Sequence, residues 1–146
     1  MEQENGNIPS RLQEIIEDFQ WCEGKEKLEL LLQFAESLLP IPEQLAAANE
    51  DLDQVHECMT PVFLCVESIE GQMYFYFDVP ESSPTVRGFA SMMMSGLNGC
   101  TPEEVLQVPG DFYLRMGLDG VLTHQRLNGL EAMLAHMKSL AVKELA

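Results

Sequence analysis

The architecture of this chain changes over ten residues near its middle, Val55-His56-Glu57-Cys58-Met59-Thr60-Pro61-Val62-Phe63-Leu64. Before this stretch the apolar residues recur at helical spacing, and directly after it they alternate as in a strand. Polar residues and a proline separate the two patterns, so Cys58 is predicted to lie in a loop where a strand begins. A thiol on such a short connection can be presented to a partner, which makes Cys58 the first candidate for a functional residue.

Two strands are predicted after this stretch. The apolar residues that alternate with a period of two are Val62, Leu64, Val66, Met73, Phe75, Phe77 and Val79. Between the two runs, Ile69-Glu70-Gly71-Gln72 predicts a hairpin turn, because glycine can adopt a positive φ. An isolated hairpin is only marginally stable, so a third strand that includes Val55 is expected. Cys65 falls in the middle of the first strand and is expected to be structural.

Two amphipathic helices are predicted before the sheet. The first begins at Ser10, which forms an apparent capping box with Gln13, and ends near Gly24. The second ends before Pro40. Their apolar positions are Leu12, Ile15, Ile16, Phe19, Leu28, Leu31, Leu32, Ala35 and Leu38. Residues 1–8 are expected to be a disordered tail, and residues 43–54 a surface connection with at most a short helical turn.

Helices are also predicted after the sheet. Ser82-Ser83-Pro84 opens one of them, and Thr101-Pro102-Glu103-Glu104 has the pattern of a capping box. A long terminal helix starts at Thr123. The methionines between residues 92 and 94 could suggest copper binding, but their helical spacing favours core packing. The predicted fold is therefore α+β: an N-terminal helical pair, a small antiparallel sheet of about three strands, and C-terminal helices packed on it, in a single domain over residues 9–146.

The charge of the chain excludes several classes of function. The 146 residues carry a net charge of −16, with 14 acidic and three basic residues among residues 1–57. Nucleic acids and anionic membranes both require a basic surface, so neither is expected as a partner. The acidic charge serves solubility or matches a basic protein partner. The polar, acidic N-terminus does not resemble a secretory signal, and a cytoplasmic location is expected.

Among the residues that could carry catalytic or metal-binding chemistry, only the cysteine thiols remain as candidates for a functional site. Cys22, Cys58, Cys65 and Cys100 form no C-x-x-C pair, and the three histidines show no metal-ligand spacing, so no metal is expected. Phosphate-binding glycine loops and a Gly-x-Ser-x-Gly motif are also absent, and no cofactor is predicted. From the residues alone, Cys58 is either a functional thiol or an ordinary loop cysteine, and the adjacent carboxylate of Glu57 disfavours its thiolate.

Several stretches together resemble the SufE family of sulfur acceptors. Val55 to Phe63 is similar to the family's Val-x-Gly-Cys-x-Ser-x-Val-Trp, with Glu57 in place of glycine and Phe63 in place of tryptophan. Further along the chain, Val86-Arg87-Gly88-Phe89 resembles Val-Lys-Gly-Leu. The third match, to Leu-Thr-x-x-Arg-x-x-Gly-Leu, runs from Leu122 to Leu130 and includes Arg126. In this order and spacing, the motifs extend over nearly all residues from about 9 to 142.

The resemblance implies a persulfide carrier of sulfurtransferase type rather than a stand-alone enzyme. Cys58 would take sulfur from a cysteine desulfurase, stimulate that enzyme, and pass the sulfur to iron–sulfur cluster assembly scaffolds. Pyridoxal phosphate would belong to the desulfurase, and Arg126 would lie near the thiol.

Two other functions stay open. The chain could be a non-catalytic acidic adaptor on the same fold that binds a desulfurase or another basic protein. It could also be a structural domain whose thiols are incidental.

Overall fold

The computed structural model describes residues 8–48, 53–55 and 60–146. Within these ranges the helices are α1 (Ser10–Gln20), α2 (Lys25–Glu36), α3 (Glu43–Ala48), α4 (Pro84–Leu97), α5 (Pro102–Leu106) and α6 (His124–Leu145). The strands are β1 (Asp53–Gln54), β2 (Phe63–Ile69) and β3 (Gln72–Asp78), and 3-10 turns span Phe112–Met116 and Leu118–Gly120. The predicted α+β class and the order of its elements are confirmed. Residues 1–7 of the predicted tail lie outside the described ranges, while Ile8 packs into the core with 6% of its surface exposed.

Helix α1 confirms the predicted apolar face and contradicts the predicted cap. Its core-facing residues are all buried: Leu12, Ile15, Ile16 and Phe19. The capping box at Ser10 was wrong, because Pro9 occupies the N-cap position and Ser10 is already helical. Pro9 fixes φ at −56° with ψ at 146°, so the chain enters the helix directly after it. The Gln13 side chain does not cap the helix and instead donates to the Glu17 carboxylate at 3.1 Å.

The antiparallel sheet is built on two strands of seven residues each. Strand β2 pairs with β3 from Phe63 opposite Asp78 to Ile69 opposite Gln72. Glu70 and Gly71 both have positive φ in the turn between them, as a tight hairpin with right-handed twist requires. The third strand of the described sheet is only the two-residue β1, on the far side of β2.

The outer edge of β3 is closed by the end of α4. The Asn98 side chain accepts the Phe75 N–H at 2.8 Å and donates to the Phe75 carbonyl at 3.2 Å. Just beyond it, Met73 exchanges backbone hydrogen bonds with Gly99 and Cys100, each of 2.8 Å. These contacts satisfy backbone groups that would otherwise face solvent at a sheet edge, and they attach α4 to the sheet.

Helix α4 is the central helix of the core. Met92 and Met93 are fully buried and Met94 is half-buried against the core, which confirms that this methionine run serves core packing. Gly88 lies so close to α2 that a Cβ atom on it would come within 2.5 Å of the Leu31 carbonyl oxygen. The helix therefore depends on a glycine at its contact with α2, and this packing sets the position of its N-terminus. The capping box predicted for α5 is confirmed, with hydrogen bonds of 2.8 and 3.2 Å between Thr101 and Glu104.

Candidate functional site

Cys58, the predicted functional thiol, lies outside the described residues, together with His56, Glu57 and Met59. The structure describes the residues on either side, Val55 and Thr60. The surroundings of the predicted site are therefore defined by these two attachment points and by the side chains near them.

The N-terminal attachment point is a continuation of the sheet. Gln54 pairs with Phe63 in β1 and β2, and the Val55 N–H donates to the Val62 carbonyl at 2.9 Å. The Val55 side chain is fully buried. Val55 and Val62 thus lie across from each other. The expected third strand is present as β1, but it ends at Gln54, and Val55 extends the pairing by one backbone hydrogen bond only. The segment from 56 to 61 therefore connects two adjacent positions.

The second attachment point joins Thr60 to the start of α4. The hydroxyl oxygens Thr60 Oγ1 and Ser83 Oγ are 2.6 Å apart, a short hydrogen bond between half-buried side chains. Ser83 occupies the N-cap position of α4, yet its hydroxyl caps no backbone amide of the helix. Pro84 at the first helical position has no N–H, so part of the usual need for a cap is absent there. The Ser83 hydroxyl therefore holds Thr60 instead.

A cleft of about 270 Å³ lies beside Thr60. It is bounded by Thr60, Ser82, Ser83, Val86, Gln125, Arg126 and Gly129. These residues come from three separate parts of the chain: the entry to β2, the start of α4 and the first turns of α6. The polar side chains of this lining are three hydroxyls, one amide and one guanidinium, so the cleft combines hydrogen-bonding groups with a positive charge.

The cation in the cleft is Arg126, in the first turn of α6. Thr123 caps this helix, with its hydroxyl accepting the Arg126 N–H at 3.2 Å. Because the N-terminus of a helix is itself positive, a cation there is unfavourable unless it serves another purpose. No carboxylate of the described residues forms an ion pair with this exposed guanidinium. The guanidinium and the helix N-terminus thus present positive charge on the same side of the cleft, which suits an anionic sulfur.

Two of the three described cysteines, Cys65 and Cys100, differ from a reactive thiol. Cys65 and Cys100 are 5% and 8% exposed. Burial, followed by the nearby Glu104 carboxylate, raises the pKa of Cys100 to about 11. Burial and, secondarily, Glu67 likewise raise the pKa of Cys65. Both thiols are therefore protonated at neutral pH and are poor nucleophiles, as expected for structural cysteines, whereas Cys22 is half-buried at the end of α1.

We expect native alkylation to separate these thiols. At pH 8 a thiol with a pKa of about 11 is ionised in only about one molecule in a thousand, and burial also blocks access. Iodoacetamide should therefore label Cys58 first and leave Cys65 and Cys100 unmodified, as measured by peptide mass spectrometry after quenching. Full labelling of all four cysteines in denaturant is the control. Rapid labelling of Cys100 in the native protein would contradict this expectation.

The sequence did not identify every residue of the cleft. Ser82 and Ser83 were predicted only to open a helix, and Gln125 was not singled out. Arg126 was expected near the thiol on the basis of the resemblance alone, and the structure places it in the cleft beside Thr60. The Ser-Ser-Pro sequence before α4 was the one available signal, because an N-cap hydroxyl can bond to something other than its own helix.

The described residues show neither a metal centre nor a membrane segment. No group of three or more potential ligands among their His, Cys, Asp and Glu side chains is arranged to hold a metal ion. In the same part of the chain, no helix combines the length and the apolar character needed to cross a bilayer.

Comparison with known proteins identifies the family. The SufE family, described as an Fe-S metabolism associated domain, matches residues 13–141. An uncharacterized SufE-like protein of Mycobacterium tuberculosis is 38% identical over 90% of this chain and 92% of its own length. The chloroplastic/mitochondrial SufE-like protein 1 of Arabidopsis thaliana is 30% identical over 92% of this chain, which corresponds to 36% of that protein.

A solved structure shows the same fold. The solution structure of a hypothetical protein from Thermus thermophilus superposes with a TM-score of 0.83 at 36% sequence identity. The match covers 94% of this chain and 98% of the other. The family match and the similarity to these relatives both extend over most of the chain. The chain therefore belongs to the SufE family, with a role in Fe–S metabolism.

Proposed function

We propose that this protein is a cytoplasmic sulfur acceptor that receives persulfide sulfur from a cysteine desulfurase on Cys58 and delivers it to iron–sulfur cluster assembly. Its partners would be the desulfurase upstream and a scaffold protein downstream, and binding would stimulate the desulfurase. This proposal refines the role in Fe–S metabolism that family membership supplies.

The observation that carries the proposal is the positive cleft next to the segment that contains Cys58. Thr60 lines this cleft, and Cys58 is two residues away in the sequence. Two peptide units span at most about 7.6 Å between Cα atoms. We therefore propose that the thiol of Cys58 works at this cleft, whose lining includes Arg126 in the first turn of α6.

The electrostatics of this cleft suit the proposed reaction. The Cys58 thiolate attacks the outer sulfur of the desulfurase persulfide and forms a new S–S bond. The S–S bond of the donor breaks, and its electron pair leaves with the desulfurase thiolate. Cys58 then carries the persulfide, and no external oxidant or reductant is needed. A guanidinium stabilises the anionic sulfur both before the transfer and after it.

The burial of two other cysteines, Cys65 and Cys100, supports the choice of Cys58 as the sulfur acceptor. Cys65 and Cys100 lie in the core with raised pKa values, so they are unsuited to a transfer that requires an accessible thiolate. Cys22 is half-buried, and it lies outside the set of residues that line the cleft.

Mass spectrometry tests the proposal directly. The protein is incubated with a cysteine desulfurase and cysteine, then digested without reductant. We expect a mass increase of one sulfur atom, about 32 Da, on the peptide that contains Cys58. Omission of cysteine is the control. An adduct on Cys22 instead, or no adduct while the desulfurase turns over, would contradict the proposal.

A further inference from the structure

Trp21 is exposed to a degree that packing does not explain. It is the only tryptophan of the chain, and 85% of its surface is accessible at the C-terminal end of α1. No other large apolar side chain of the described residues is as exposed. Tryptophan is enriched at interfaces, because its ring is apolar and its N–H can form a hydrogen bond.

Trp21 lines an open hollow together with Glu17 and Gln20. Glu17 and Trp21 are four residues apart on one side of α1, and the Trp21 backbone N–H donates to the Glu17 carbonyl at 3.2 Å. An aromatic face and a carboxylate on adjacent helical turns point to solvent side by side.

Hydrogen bonds hold the polar side chains of the hollow in place. The Glu17 carboxylate accepts Gln13 Nε2 at 3.1 Å. On the other side, Gln20 Nε2 donates to the Arg115 backbone carbonyl at 2.9 Å. These hydrogen bonds restrict the two polar side chains and so reduce the conformational entropy that they would lose when a ligand binds.

The charge that α1 itself brings to the hollow is mainly negative, although two basic residues lie near the same end of the helix: Lys27, whose Nζ donates to the Phe19 carbonyl at 2.6 Å, and Arg115, whose carbonyl accepts Gln20. Residues 10–24 contain four carboxylates and a single basic residue, Arg11, and Arg11 pairs with Glu14 at 3.2 Å. Anionic groups such as phosphates are therefore repelled. A guanidinium or ammonium group is attracted, because it can lie over the indole ring and pair with the carboxylate at the same time.

We propose that the hollow formed by Glu17, Gln20 and Trp21 binds an arginine or lysine side chain on a basic segment of a protein partner. The indole face and the Glu17 carboxylate would contact the cation together. This surface would act independently of the sulfur chemistry of Cys58, so a Cys58→Ser variant should bind a basic segment unchanged.

The test uses the full chain and a capped, fluorescein-labelled hexa-arginine peptide, with affinity measured by fluorescence anisotropy. Trp21→Ala should weaken binding about threefold to fivefold, the effect of one exposed cation–π contact. Glu17→Gln should weaken it by a similar factor. The matched control is Glu103→Gln, which removes the same charge at an exposed position of α5 and should change the affinity less than twofold, roughly the experimental scatter.

The single tryptophan provides a second measurement. Acrylamide should quench the fluorescence of the wild-type protein efficiently, and saturation with the peptide should protect Trp21 from quenching. Circular dichroism of each variant checks that the fold is kept. Equal losses of affinity in Glu17→Gln and Glu103→Gln, or quenching that the peptide leaves unchanged, would show that only diffuse charge attracts the peptide and would overturn the proposal.

Discussion

Replacing Cys58 by serine should abolish sulfur acceptance completely. Serine is nearly isosteric with cysteine, but its hydroxyl is not ionised at neutral pH and cannot hold a persulfide. The two proteins are incubated with a desulfurase and cysteine that carries radiolabelled sulfur. The serine variant should retain no label after gel filtration, while the wild-type protein should retain up to one labelled sulfur per chain. The melting temperature should stay within a few degrees of the wild type.

Cys22→Ser is the matched control for this experiment, because it removes a half-buried thiol at the end of α1. It should accept sulfur like the wild type. Label retained on the Cys58→Ser variant would refute the proposed function. Desulfurase turnover separates the carrier from a non-catalytic adaptor: a carrier loses its stimulation of turnover with Cys58, whereas an adaptor would stimulate equally with serine.

Gly88→Ala should produce the largest loss of stability. Its new Cβ would come within 2.5 Å of the Leu31 carbonyl oxygen and 2.8 Å of the Leu31 Cγ atom. The carbonyl belongs to the backbone of α2 and cannot move without separating α2 from α4. We expect a loss of about 3 kcal/mol in the free energy of unfolding, at the upper end of overpacking costs, and a fall in Tm of roughly 10 °C.

Gly120→Ala provides the comparison for this variant. Nothing lies within 4 Å of the position that its Cβ would occupy, so its free energy of unfolding should change by less than about 0.5 kcal/mol. Urea unfolding and thermal melts of both variants give the two values. Equal stability of the two proteins would show that α2 and α4 do not pack as closely as described.

Much of the fold followed from local patterns. The alternation in β2 and β3, the turn at Glu70 and Gly71, and the capping box at Thr101 each depend on residues that are close in sequence. The capping box predicted at Ser10 shows the limit of such signals. Ser10 and Gln13 have the right spacing, but the rigid φ of Pro9 moved the helix start by one residue, so the serine lies inside the helix.

The candidate site, too, could be predicted from the sequence only in part. Cys58 was singled out by its position between two periodic patterns, and this choice stays a prediction, because the residue lies outside the described ranges. The hydrogen bond between Thr60 and Ser83 joins residues 23 positions apart. No periodicity could indicate that the N-cap hydroxyl of α4 would bond to the entry of β2 instead of to its own helix.

The amino-acid sequence alone determined the α+β class, the order of the elements and the family motifs, because helical and strand periods are local properties of the chain. Only the tertiary structure brought residues 60, 82–86 and 125–129 together into one cleft and left Trp21 outside the core. The cleft depends on how closely α2 and α4 pack and on where the first turn of α6 comes to lie. Those distances arise from contacts between residues far apart in sequence, which side-chain spacing does not encode.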